Sequence, residues 1–324
     1  MHPSQALFQD SISPAFLPVC DHYAGSEKLM RKSLALQNEM GPSFDITFDC
    51  EDGASTGSEI AHAKLVGQVI ASDANVHRRI GARIHDIGSA FFDSDTEIIL
   101  NAAANKIAYL VLPKVDNAEQ VRSAIARINT IAIMNGREQL PIHVLIETHN
   151  ALAEVNQIAA ISQVECLSFG IMDFVSSHYG AIPSSAMRSP GQFAHPLVMR
   201  AKLEIAAACH RFGKTPSHNV TTEIKDTAIV AGDATRAVLE CGYTRMWSIH
   251  PDQIKPIVKA LSPRSSEVHE ATAILTAAQQ EQWGPIQHNG RLHDRASYRY
   301  YWMILKRAQS SQISMPENAQ NLLQ

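Results

Sequence analysis

Ile142-His143-Val144-Leu145-Ile146-Glu147 and Val164-Glu165-Cys166-Leu167-Ser168-Phe169-Gly170-Ile171-Met172-Asp173 are the segments on which the fold is read. Each is a short run, mostly apolar, that closes on an acidic residue. Runs that are apolar throughout, rather than alternating, suit parallel strands buried on both faces. Similar runs recur at 15–19, 44–49, 80–84, 107–112 and 244–249, with a weaker one at 216–220. Helical patterns lie between them. Asp116 and Glu119 flank a capping-box start that leads into Val121, Ile125 and Ile128. Val198, Ala201, Ile205, Ala208 and Phe212 repeat the stripe before Gly213, and 234–240 stops at Gly242 in the same way. Strand and helix alternating about eight times predicts an α/β protein of the (β/α)8 TIM-barrel type. An open doubly wound sheet is the alternative, but no Gly-rich phosphate fingerprint follows the first run to favour it.

The barrel is assigned to residues 1–262 and a C-terminal helical extension to 263–324. In the extension, 264–283 reads as one helix and 284–294 as loop, with Pro285, Asn289 and Gly290. Residues 296–309 read as a second helix, and 312–324 as a polar, frayed end. The extension is expected to act as a lid, an oligomer contact, or both.

With 324 residues, 45% of them hydrophobic, the chain can build a sizeable core. Its net charge of −4 comes without a basic stripe, which argues against a nucleic-acid partner. Five cysteines (Cys20, Cys50, Cys166, Cys209, Cys241) with no CxxC pair suggest free thiols in a reducing compartment. No apolar run approaches the roughly 18–20 residues that span a bilayer. Residues 1–13 lack Lys and Arg, and 15–20 is short for a signal-peptide core. The expectation is a cytoplasmic protein with no membrane partner.

In such barrels the chemistry sits at the C-terminal strand ends. Those ends carry Asp49, Glu51 and Asp52, then Arg83, Lys114, Glu147, Asp173 and His250. Glu147 and Asp173 are 26 residues apart (173 − 147), one helix plus one strand, which places them on adjacent strand ends. Two oxygen ligands with the other positions left to water and substrate suit Mg²⁺, whereas zinc prefers His or Cys. The alternative reading of Asp173 is a helix N-cap. Asp49, Glu51 and Asp52 crowd three carboxylates into four residues. They form either a capped, solvated loop or a shell that holds metal-bound waters. Arg83, within an apolar strand, needs an anion. Either that cluster or a substrate carboxylate supplies it.

These segments also resemble a known family. Phe44-Asp45-Ile46-Thr47-Phe48-Asp49-Cys50-Glu51-Asp52-Gly53-Ala54 resembles the D-x-E-D-A/G segment of the HpcH/HpaI aldolase and citrate lyase β-subunit superfamily. Ala82-Arg83-Ile84, Leu112-Pro113-Lys114-Val115 and Ile146-Glu147-Thr148 are similar to its arginine strand, L-P-K-V and I-E-T segments. Phe169-Gly170-Ile171-Met172-Asp173 resembles F-G-x-x-D, and Ile249-His250-Pro251-Asp252-Gln253-Ile254 resembles I-H-P-x-Q-I. The matches cover about residues 15–260 in the family's order.

The resemblance implies a magnesium-dependent carbon–carbon lyase of homotrimeric or hexameric assembly. It would act on a small 2-keto or hydroxy acid, or on its β-hydroxyacyl-CoA thioester. Glu147 and Asp173 would be the metal ligands, and Arg83 would bind the keto acid. Glu51 and Asp52 would order metal-bound waters, and the backbone around Gly170 and Met172 would offer donors to the substrate carboxylate. Asn289-Gly290-Arg291-Leu292-His293-Asp294 resembles the D-G-x-M-I-D segment of malyl-CoA lyases. It implies that Asp294 is a catalytic base reaching a neighbouring subunit's site; the alternative is a helix cap. The chain departs from the family at Ser13-Pro14-Ala15-Phe16-Leu17-Pro18-Val19-Cys20, which lacks the opening Arg and the Gly of R-S-x-L-F-V-P-G. That departure bears on any acyl-CoA contact at the first strand. An acyl-CoA thioesterase on the same metal site, and a citrate lyase β-subunit-like protein that needs a carrier partner, are the alternative functions.

Overall fold

Eight parallel strands close on themselves in sequence order. They are β1 Cys20–Ala24, β2 Asp45–Asp49, β3 Ile80–Arg83, β4 Leu110–Leu112, β5 Ile142–Ile146, β6 Val164–Phe169, β7 Thr215–His218 and β8 Arg245–Ser248. The computed structural model describes residues 2–8, 16–54 and 56–324. Helices cover the outside of the barrel, so the expected (β/α)8 architecture is the one observed.

The strands are buried on both faces, but the two faces differ. On β2, Ile46 and Phe48 join the large apolar core beneath the helices. Asp45, Thr47 and Asp49 instead bond to polar residues of other strands, or just before one: Asp45 to Arg245, Thr47 to Asp21 and to Tyr109 before β4, and Asp49 to Arg83. Arg245, fully buried, sits between Asp21 at 2.9 Å and Asp45 at 2.6 Å. Charges removed from water persist only when paired this closely. Gly81 makes room for this interior, because a Cβ there would lie 2.2 Å from the Tyr109 ring.

The paired interior explains the one misplaced strand. The expected first strand at 15–19 is not formed at its described residues, 16–19, and Ala15 lies outside the described residues. The strand is Cys-Asp-His-Tyr-Ala at 20–24, pairing Cys20 with Met246 and Asp21 with Asp45. Its polar residues hid it from a hydrophobicity reading, since their partners lie far away in sequence. Helix boundaries followed local signals more closely. Gly213 and Gly242 end their helices with left-handed backbone at φ 65° and 73°. Asn117, rather than Asp116, caps the helix Ala118–Met134, accepting from Gln120 N at 2.8 Å.

Residues 19–261 form one compact unit, and residues 1–18 with 262–324 form the other. The assignment of 1–18 to the barrel is therefore corrected. The helix Pro3–Leu7 belongs with the extension, where Arg299 Nε donates to Leu7 O at 2.8 Å. Helices Ser265–Gln280 and Arg295–Ser310 build that unit's core from Val268, Ile274, Leu275, Tyr298, Trp302 and Leu305. The segment expected as loop contains a hairpin, β9 Ile286–His288 and β10 Arg291–His293. Asn289 and Gly290 turn it at φ 48° and 75°, the left-handed pair that matches strand twist. The end expected to fray forms the helix Glu317–Leu323, because Ala319 and Leu322 fall on one face and are buried. Among the described residues no helix is long and apolar enough to cross a membrane.

Candidate active site

Asp49 and Arg83 are directly paired residues at the ends of β2 and β3. The Arg83 guanidinium grips Asp49 with Nε at 2.8 Å and Nη2 at 2.5 Å, and its Nη1 lies 3.1 Å from Glu51. Lys114 donates its ammonium to Glu51 and, at 2.9 Å, to Asp52. Three carboxylates and two cations thus alternate around one rim. Of the two readings of Arg83, the internal ion pair is the one formed. Asp49 also accepts from the backbone of Glu51 and Gly53 at 3.0 and 2.9 Å, so it fixes the loop after β2 as well as the arginine.

Glu147 follows β5 and is 2% exposed. Its Oε1 accepts from the Lys114 backbone N–H at 2.6 Å, across a residue held in left-handed backbone at φ 50°. Strain of that kind is characteristic of functional positions. Burial pushes the Glu147 carboxyl up to about 7; the Lys114 N–H opposes the shift and nearby Asp173 adds to it. Gly170, after β6, lies so close that a Cβ there would sit 2.4 Å from Glu147 Oε2. Asp173 stands in the first turn of the helix Ile171–Ser176, whose N-cap is Gly170, so Asp173 is not the cap.

A cavity of about 350 Å³ opens at this end of the barrel. Arg83, Glu147, Gly170, Met172 and Asp173 line one side, together with Asp52. Leu145 of β5 also lines the cavity, together with Tyr23, Asn219, Val220 and Trp247 at or just beyond the ends of β1, β7 and β8. Most of the expected site residues therefore do meet: Arg83, Asp52, Glu147 and Asp173, read from the strand ends, and Gly170 and Met172, implied by the resemblance, share one cavity, with Glu51 paired to Arg83. Asp294 belongs to the other unit. There it caps the helix Arg295–Ser310, accepting from Ala296 N at 3.0 Å and Ser297 N at 3.4 Å. Sequence reasoning passed over Tyr23, Asn219 and Trp247. Tyr23 lay in the unrecognised strand, and Trp247 looked like ordinary β8 core.

The donor set suits a hard divalent cation. Glu147 and Asp173 offer carboxylate oxygens side by side, and Glu147 Oε2 has no hydrogen-bond partner among the described residues. No group of three or more His, Cys, Asp or Glu able to hold a metal occurs among the described residues. Two protein ligands then leave the remaining positions to water and substrate, the arrangement Mg²⁺-like ions favour. A cation there would also offset the burial, and the lesser repulsion from Asp173, that raise the Glu147 carboxyl.

The fold and rim define a (β/α)8-barrel protein with an acidic, cation-ready mouth. Residues 34–251 match the HpcH/HpaI aldolase/citrate lyase family, and the chain belongs to it. It is 54% identical to a citrate lyase from Burkholderia xenovorans, with 99% of each chain covered and a TM-score of 0.88. It is 26% identical over 284 residues to the L-malyl-CoA/beta-methylmalyl-CoA lyase of Rhodobacter capsulatus, covering 83% of this chain and 88% of that one. The CitE protein of Mycobacterium tuberculosis in complex with magnesium, acetoacetate and coenzyme A shares the fold at 21% identity. That match has a TM-score of 0.68 and covers 92% of this chain and 99% of that one.

Proposed function

We propose that the protein is a magnesium-dependent carbon–carbon lyase acting on a small 2-keto or hydroxy acid, or on its β-hydroxyacyl-CoA thioester. The observation that carries this reading is the Glu147–Asp173 carboxylate pair, Glu147 buried beside Gly170 and Asp173 half-buried, both lining a cavity that Arg83 also lines. The magnesium and coenzyme A bound by the CitE protein, and the malyl-CoA lyase activity named for the bacterial relatives, support it.

Bound at Glu147 and Asp173, Mg²⁺ would supply a Lewis-acid anchor for substrate oxygens. The chain's own residues do the rest. Lys114 fixes Glu147 through its backbone N–H and fixes Glu51 and Asp52 through its ammonium. Arg83, held rigid by Asp49, offers a fixed positive charge to the substrate oxygen on which negative charge develops. The Gly170 N–H is committed to Ile146 O at 3.1 Å, so the backbone N–H of Met172, in the first turn that follows, offers the donor to the substrate carboxylate. In cleavage, the substrate hydroxyl gives its proton to water, the carbon–carbon bond breaks to release the keto acid, and its electron pair leaves with the acyl fragment as an enolate that the protonated Asp294 of a neighbouring subunit reprotonates at the α-carbon. In condensation, Asp294 of a neighbouring subunit takes the proton from the acyl α-carbon.

Purified protein, Mg²⁺, acetyl- or propionyl-CoA and glyoxylate, followed by mass with EDTA as control, tests the reading. A metal-dependent β-hydroxyacyl-CoA product is expected. Free CoA formed without carbon–carbon chemistry would replace it with a thioesterase.

A further inference from the structure

Behind the cavity, on its β7 side, lies a buried polar chain that the mechanism above does not use. Lys202, fully buried, donates to Gln192 Oε1 at 2.8 Å and contacts His218 Nε2 at 2.6 Å. His218 Nδ1 faces the Asn219 carbonyl at 3.0 Å and must be the protonated nitrogen, leaving Nε2 to accept from the lysine. On the other side, Gln192 Nε2 donates to Asp233 Oδ2 at 2.9 Å, and Thr221 donates to the same oxygen at 2.7 Å.

The Asp233 carboxylate, which can only accept, takes the Gln192 Nε2 end and leaves Oε1 toward the Lys202 amine, a single amide orientation. That orientation fixes the next residue. Gln192 Oε1 faces Asn219 at 2.9 Å, so the Asn219 atom beside it is Nδ2, which also donates to Val220 O. Asn219 Oδ1 is left buried without a partner among the described residues, on a residue that lines the cavity. Trp247, at the end of the adjacent strand, shows the complementary defect. It is 7% exposed, lines the same cavity and stacks on Tyr23 at 4.4 Å, while its Nε1–H is buried with no acceptor. A buried donor or acceptor left unmade costs about 1–3 kcal/mol, so each needs a reason.

We propose that Asn219 Oδ1 and Trp247 Nε1 are a matched acceptor and donor for the end of the substrate distal to its carboxylate, with Gln192 and Lys202 as positioning residues. The carboxylate and keto oxygens belong with Arg83, Glu147 and Asp173, on the arc from β3 to β6. The distal end therefore lies against β7, β8 and β1. An acyl end with a carbonyl oxygen for Trp247 and an N–H or O–H for Asn219 satisfies both atoms, as a thioester with a neighbouring amide does. Acids with a bare apolar tail satisfy neither. This rests on the lyase reading and deepens it.

The test separates the two ends of the substrate. Acetyl-CoA and glyoxylate are titrated separately by calorimetry into Mg²⁺-loaded wild-type protein, Trp247→Phe, Asn219→Leu and Gln192→Leu, after thermal melts confirm folding. Trp247→Phe keeps an aromatic ring against Tyr23 and removes the N–H together with part of the ring system. It and Asn219→Leu should each weaken acetyl-CoA by about tenfold and leave glyoxylate within about twofold. Gln192→Leu should follow Asn219→Leu in KM more than in kcat. Unchanged acetyl-CoA binding in both Trp247→Phe and Asn219→Leu overturns the proposal, as does an equal loss for glyoxylate. Wild-type protein that binds glyoxylate but no acyl thioester overturns this wall's assignment while leaving the lyase reading to a non-thioester substrate.

Discussion

Around the barrel mouth, the arc from β2 to β6 and the arc from β7 through β8 to β1 treat their polar groups in opposite ways. On the first arc nearly every charge has a partner within the protein: Arg83 with Asp49 and Glu51, Lys114 with Glu51 and Asp52, and Glu147 with the Lys114 N–H. Positions are fixed by mutual neutralisation, and what remains open is the oxygen pair of Glu147 and Asp173. On the second arc the wall is aromatic, and Asn219 Oδ1 and Trp247 Nε1 stand without partners. A site built this way anchors charge rigidly on one side and reads shape and a few hydrogen bonds on the other.

The contrast can be broken most severely at its charged end. Glu147→Gln or Asp173→Asn should lower metal-dependent turnover by more than about a thousandfold, as loss of a ligand to a catalytic metal removes its charge stabilisation. Steady-state rates with and without EDTA check this. Arg83→Lys keeps the charge but loses the two-pronged grip on Asp49, and should cost about a hundredfold in kcat/KM. Native melts should show that the loss is not unfolding.

The third prediction concerns pH. Glu147, raised to about 7, holds a proton in the folded, metal-free protein over a range where the unfolded chain has already lost it. The metal-free protein's stability from this group is therefore complete below the ordinary carboxylate pKa and falls as pH rises toward 7. Cation binding must expel that proton, so affinity should rise by about tenfold per pH unit up to about 7 and then level off. In Glu147→Gln the pH slope of the metal-free melting curve should flatten.

The smallest effect lies in the other unit. Gly290→Ala in the β9–β10 turn should cost about 1 kcal/mol through its left-handed backbone, read as a few degrees of Tm, with turnover unchanged in the barrel's own chemistry.

Legibility in the sequence followed the same division. The charged arc was readable because parallel strands announce themselves as apolar runs, and an acidic or basic residue closing such a run stands out. Asp49, Arg83, Lys114, Glu147 and Asp173 were all found that way. The aromatic arc was not, for two reasons. Cys20–Ala24 carries Asp21 and His22 in a strand whose polar interior is balanced by Arg245, more than 200 residues away, and no local pattern shows that pairing. Trp247 and Asn219 look like core and loop until their unpartnered atoms are seen. In the extension, Asn289-Gly290 was a turn signal without the alternating flanks that reveal a hairpin, and the short helix Glu317–Leu323 rests on two apolar residues in a polar segment.

The central claim is that Glu147 and Asp173 together hold one divalent cation at the mouth of the barrel. Calorimetric titration of Mg²⁺, with Mn²⁺ followed by electron paramagnetic resonance, into wild-type, Glu147→Gln and Asp173→Asn protein above pH 7 tests it directly. The account predicts one site per chain in the wild type, and affinity weakened by at least about a hundredfold in either variant while the fold persists. Equal binding in wild type and both variants, or no binding in folded wild-type protein, would contradict it.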